Sequence, residues 1–133
     1  MRKSKLLKKK ISSGAEYIIS QPTFNIERVN RFMELYTKQF GIAFPVPFFQ
    51  GIQLLSKGGT HFGGIPDRVK EELRTGRTPL DIALGVTYKF MEFGIKAFYL
   101  IPPIGSQGIR NYDSAQEFLE KAPRSYSSSK YSL

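Results

Sequence analysis

Gly14-Ala15-Glu16-Tyr17-Ile18-Ile19-Ser20-Gln21-Pro22-Thr23-Phe24-Asn25 joins a short apolar run to a polar turn, and its reading decides the fold. Residues 16–20, rich in Tyr and Ile, have strand composition. Upstream, residues 4–13 place Leu6, Leu7 and Ile11 on a narrow helical stripe, and Gly14 stands where a left-handed residue ends a helix. Downstream, Asn25 is a candidate N-cap for "IERVNRFMELYTKQF", in which Ile26, Val29, Phe32, Met33, Tyr36 and Phe40 recur at helical spacing before Gly41. The stretch is therefore the strand of a βα unit. Gln21 at its end has two readings. It is either the first residue out in water or an amide held at the mouth of a site.

Two more units follow. A strand is predicted over 43–49, kept short or irregular by Pro45 and Pro47, which cannot donate ladder hydrogen bonds. The glycine-rich connection "QGIQLLSKGGTHFGGIP" leads to a short helix beginning near Pro66. Thr78-Pro79-Leu80-Asp81 then supplies a cap, a first-turn proline and an N3 carboxylate for a helix burying Leu80, Leu84, Phe90 and Met91 and stopping at Gly94. "AFYLI" at 97–101 is the third strand and ends in Pro102-Pro103. Asp113-Ser114-Ala115-Gln116 starts the last helix.

Strands separated by helices imply a parallel sheet, since a parallel pair needs a crossover. The chain thus reads as α/β: about three consecutive βα units, an incomplete barrel beside the ~250 residues of a full (β/α)8 fold. The predicted organisation is a basic helix at 1–14, a partial barrel at 15–121 and a mobile Ser-rich tail at 122–133. Parallel strands need cover on both faces. "EYIIS" and "AFYLI" are apolar at both alternating phases, so another chain or a longer parent is expected to cover the face that the helices leave open.

The formal net charge is +9, but six positive charges fall in the first ten residues: Arg2, Lys3, Lys5, Lys8, Lys9 and Lys10. Between residues 11 and 121, twelve Lys/Arg stand against eleven Asp/Glu, so the body is nearly neutral. A basic end of this kind is more often a solvated helix face than a phosphate-binding surface, which disfavours nucleic acid. The absence of cysteine removes disulfides and thiolate chemistry and fits a cytoplasmic location. No secretory signal follows the basic end, and no apolar run approaches the ~20 residues of a membrane span.

The inventory for catalysis is small. His61 is the only histidine and sits in a glycine-rich loop, so no histidine-based metal site is expected. Glu71-Glu72 and Glu117-Glu120 lie on solvated helix faces. Position supplies the remaining candidates: in a parallel barrel, functional groups collect where strands end. Gln21, Gln50 to Gln53 and Pro102-Pro103 share that rim, and a glutamine amide carries both donors and an acceptor.

Three stretches, taken in order, carry a resemblance. "KISSGAEYIISQPTFNIERVNRF", "PVPFFQGIQLL" and "GIKAFYLIPPIG" resemble consecutive strand-and-turn segments of methylenetetrahydrofolate reductases, over about residues 4–121. The resemblance implies the C-terminal part of a flavin-dependent (β/α)8 barrel, in which hydride passes from NAD(P)H through FAD to methylenetetrahydrofolate. Gln21 matches the family glutamine that hydrogen-bonds folate, and Lys10 matches a lysine near the flavin phosphates. Gln53 and Phe62 are the nearest counterparts of a glutamine and a phenylalanine around the folate, in a loop that is shorter and richer in glycine here. Arg110 is displaced from the family's arginine by an extra "SQGI".

The family's general-acid glutamate and flavin-side aspartate belong to earlier strands, so no catalytic residue is assigned in this chain. Alone it is expected to be catalytically incomplete, a truncated product or part of a split enzyme. Its expected partner is an N-terminal barrel portion or homologous chain. A non-catalytic module whose basic end binds nucleic acid or a partner chain is the alternative. A barrel that transfers methyl groups from a pterin is a third reading.

Overall fold

The computed structural model describes residues 2–123, and the tail from residue 124 lies outside the described residues. The elements are α1 (Arg2–Ser12), β1 (Ile18–Ile19), α2 (Ile26–Phe40), β2 (Phe48–Gln53), α3 (Asp67–Arg74), α4 (Pro79–Glu92), β3 (Ala97–Ile101) and α5 (Tyr112–Lys121). They form a mixed α/β arrangement with one three-stranded sheet, ordered β1-β2-β3 and parallel throughout.

Local chemistry sets the helix ends. Asn25 Oδ1 accepts the Arg28 N–H at 3.0 Å and opens α2, while Gly41 at φ 70° closes it in the left-handed region. Thr78 Oγ1 accepts the Asp81 N–H at 3.1 Å ahead of Pro79 at the start of α4. The start of α5 differs from expectation. Asn111, not the Asp113 segment, is the cap: its Oδ1 accepts the Ser114 N–H at 3.1 Å, and its own N–H donates to the Pro103 carbonyl at 2.9 Å. That second bond holds the cap against the end of the sheet, so the helix begins at Tyr112.

Two strands also differ from the sequence prediction. The second is not at 43–49 but at Phe48–Gln53. With Pro45 and Pro47 unable to donate, pairing starts after the second proline, whose carbonyl accepts the Ile18 N–H at 2.9 Å. The first strand shrinks from 16–20 to Ile18–Ile19, extended by one bond from the Ser20 N–H to the Phe49 carbonyl at 2.9 Å. The third strand, 97–101, is as predicted.

The pleat sorts the strands into two faces. Phe48, Ile52, Phe98 and Leu100 pack with the helices, where Ile82, Val86 and Phe90 of α4 and Phe118 of α5 complete the core. Phe90 meets Phe98 with ring centroids 6.4 Å apart. The buried face of α4 is centred on Ile82, Ala83, Val86 and Phe90; Leu80 and Leu84 only border it, and Met91 is half-buried outside the cluster. The reason is angular: Ile82, Val86 and Phe90 lie at successive i+4 spacings and define the stripe turned to the sheet. On the other face, Tyr17, Ile19, Phe49, Tyr99 and Ile101 take no part in that core. Tyr17 and Ile19 are 56% and 58% exposed and Phe49, Tyr99 and Ile101 half-buried, so among the described residues this apolar face is left partly open. Among the described residues no helix is long and apolar enough to cross a membrane.

Candidate functional site

The carboxyl ends of the strands carry a polar network built around a fully buried glutamine, Gln50. Its Oε1 accepts from Ser20 Oγ at 2.7 Å, and its Nε2 donates to the Gln21 and Gly51 carbonyls at 3.1 and 3.2 Å. A buried amide without partners would be costly, and this one is satisfied at both ends. From the opposite face, Tyr99 Oη donates to the Ser20 carbonyl at 2.7 Å. Burial of the hydroxyl holds its pKa above the ordinary 10.0, because the phenolate would lose hydration.

Gly51 makes that reach possible. A Cβ there would stand 2.6 Å from Tyr99 Oη and 2.8 Å from the Pro22 backbone nitrogen. Tyr99 thus crosses β2 over a missing side chain and grips the end of β1. The turn at Ser20 and Gln21 is fixed from both sides of the sheet, which gives a two-residue strand a defined end.

Gln53 performs a second fixing. Its Nε2 donates to the Phe62 carbonyl at 2.7 Å and its Oε1 accepts the Phe62 N–H at 3.0 Å. This paired amide mimics a strand neighbour and pins the glycine-rich loop to the strand end. The Phe62 ring remains 46% exposed at the rim. Thr60 N–H adds a bond to the Ile104 carbonyl at 3.0 Å, and Gly59 passes so close that a Cβ would meet that same oxygen at 2.0 Å. His61 Nε2 lies 3.1 Å from the Ser56 carbonyl; the carbonyl can only accept, so the ring nitrogen donates and His61 serves within the loop.

Gln21 itself is exposed, and its side-chain amide has no protein partner among the described residues. It lines a cavity of about 570 Å³ between α1 and α2, together with Lys10, Ser20, Arg28 and the loop glycines Gly63 and Gly64. Leu6, Leu7, Phe32 and Phe48 form its apolar walls. Of the sequence-predicted residues, Gln21 and Lys10 therefore meet at one cavity. Gln53 and Phe62 belong to the adjoining strap, with Gln53's amide already engaged by backbone. The glutamine of the same strand that the network centres on, Gln50, was legible as a rim residue but not as its keystone. Its phase on the strand becomes readable only after the register moves from 43–49 to Phe48–Gln53.

The arrangement can hold a polar ligand against an apolar wall. The cavity offers an amide, hydroxyls and cations, and among the described residues no carboxylate lines it. Among the described residues no three His, Cys, Asp or Glu side chains come together as a metal site. Comparison with protein-family models, curated proteins and solved structures returned no significant match.

Proposed function

We propose that this chain is the C-terminal part of a flavin-dependent (β/α)8 reductase of the methylenetetrahydrofolate reductase type, supplying folate and flavin contacts to a site completed by an N-terminal barrel portion. The observation that carries this reading is the meeting of Gln21 and Lys10 at one cavity. The sequence resemblance assigns those two residues to the substrate and to the cofactor of a single reaction, and such residues must lie within reach of one bound pair. The residues fit the groups. An unpartnered amide at a strand end can donate to and accept from the amide-like edge of a pterin, and an unpaired ammonium can contact phosphate. FAD, when bound, would supply the hydride relay from NAD(P)H to methylenetetrahydrofolate.

The chain's own residues have positioning roles in this reading. Gln50 and Tyr99 hold the backbone that carries Gln21, and Gln53 holds the Phe62 loop against the rim. The uncovered aromatic face fits the same account, since in a closed barrel Tyr17, Phe49 and Tyr99 would face the remaining strands.

The test is reconstitution. Mixing the chain with an N-terminal portion of five βα units from a methylenetetrahydrofolate reductase should yield a complex that retains FAD and reduces methylenetetrahydrofolate. In that complex Gln21→Ala should weaken folate use by about 1–3 kcal/mol. A mixture that neither retains flavin nor turns over substrate would contradict the assignment.

A further inference from the structure

The sheet has two free edges, and the phase of the ladder fixes which backbone groups each one presents. The Ile101 carbonyl accepts the Leu54 N–H at 3.1 Å, and Gln53 is the register partner of Ile101. In a parallel ladder, alternate residues turn to the same neighbour. Ala97, Tyr99 and Ile101 are therefore engaged by β2, while Phe98 and Leu100 turn their N–H and C=O groups outward. Among the described residues neither of them has a backbone partner beyond the ladder. On β1, the Ile18 and Ser20 N–H groups each bond toward β2 at 2.9 Å, which leaves Ile19 turned outward. Natural edges are blunted by charge, proline or a bulge. β3 has no charge, proline or glycine between Lys96 and Pro102. Such an edge is a template for a further strand.

The helix layer decides what that strand can bring with it. Apart from the short α3, neighbouring helices run α1, α2, α4, α5 beside a sheet ordered β1-β2-β3. α2 and α4 belong to the crossovers that span the two internal gaps of the sheet. α1 stands past α2 on the β1 side, where Leu6 and Leu7 share a cavity wall with Ile18 and Phe48. α5 stands past α4 on the β3 side, anchored in the core by Phe118. Each outer edge thus already has its helix, and each of these end helices keeps a leucine open, Leu6 on α1 and Leu119 on α5. Packed helices are about 8–10 Å apart and paired strands about 4.8 Å. One strand gap cannot take two helices.

We infer that each edge receives a bare strand, from a partner chain that both begins and ends in a strand. Its first strand pairs along Phe98 and Leu100 beneath α5, and its last pairs at Ile19 beneath α1. The inference deepens the proposed function and rests on it for the source of the partner, whereas the edge chemistry is read from this chain alone. Beside the eight strands and eight helices of a closed barrel, the complement is five strands joined by four helices. A portion of five full βα units carries a fifth helix, which competes with α1 for one gap.

Hydrogen exchange followed by NMR tests this on the full chain, free and mixed with two N-terminal portions of a methylenetetrahydrofolate reductase. One portion ends at its fifth strand; the other includes the helix that follows. In the complex, the Phe98, Leu100 and Ile19 amides should slow by about a hundredfold or more, while Tyr99 and Ile101 are protected in the free chain already. The strand-ended portion should bind about tenfold more tightly than the helix-ended one. Deleting residues 1–13 should reverse that order, with protection at Tyr99 and Ile52 reporting that the shortened chain is folded. A complex in which Phe98 and Leu100 exchange as in the free chain would overturn the inference, as would equal binding of the two portions by the full chain. Edge protection without flavin retention would keep the inference and remove the reductase reading. Association with neither portion would overturn both.

Discussion

The two faces of the sheet are built from the same three strands yet differ in every consequence. On the helix side, Ile52 is 2% exposed and Phe90 1%, locked among α2, α4 and α5. On the other side, Tyr17 and Ile19 are more than half exposed, although Tyr17 does meet Phe49 edge-on at 6.0 Å. Parallel sheets in folded domains are covered on both faces. The difference teaches that the packing stability of the described residues is drawn from one face, while the other leaves apolar side chains open.

Substitutions can break that contrast. The largest effect is expected in the core: Phe90→Ala should cost about 3–5 kcal/mol in denaturant unfolding, through lost burial and a residual cavity. A loss below 1 kcal/mol would mean that the helix face is not the source of stability. Next comes Gly51→Ala, which drives a methyl group into Tyr99 and into the Pro22 backbone. It should cost about 3 kcal/mol and disturb the Gln21 turn as well.

Tyr99→Phe is milder, about 1–2 kcal/mol from the lost bond to the Ser20 carbonyl. It also carries a pH signature. The folded pKa lies above the ordinary 10.0, so the folded state favours the neutral phenol. That contribution is complete below pH 10.0 and is lost as pH rises through the folded value. The Phe variant should lack this part of the alkaline loss of stability, as read from unfolding curves between neutral and strongly alkaline pH. The smallest effect should come from the open face: Ile19→Ser should change stability by no more than about 0.5 kcal/mol. A loss as large as that of Phe90→Ala would show that the open face is covered after all.

How far the sequence led can be judged element by element. Helix ends were legible wherever a side chain caps locally, as at Asn25, Gly41 and Thr78, because capping is chemistry between residues three or four apart. It failed at Asn111, whose capping position depends on a bond to Pro103 at the end of the sheet. The alternation of βα units was legible, and so was the uncovered apolar face, from strands with no polar phase. The register of β2 was not. By sequence Pro45 and Pro47 interrupt a strand, whereas in the fold they precede it, and the partner that decides this, Ile18, is about thirty positions away.

At the site, Gln21 is a candidate by position and resemblance and Lys10 by resemblance alone, and the structure puts both on the lining of one cavity. Gln50 as a keystone, Gln53 as a strap and Arg28 as a cavity cation depend on which way a side chain turns within a strand or helix. That is set by contacts distant in sequence. Glutamine gives no local sign of which of its possible partners it will choose.

The central claim is that the open sheet face docks against the remainder of a barrel, and sedimentation tests it most directly. The wild-type chain mixed with the five-unit N-terminal portion should sediment as a one-to-one complex. Ile19→Glu, which places a charge on that face without touching the core, should melt as the wild type does and remain separate. A wild-type chain that stays apart from the N-terminal portion, or an Ile19→Glu chain that assembles equally well, would contradict the account.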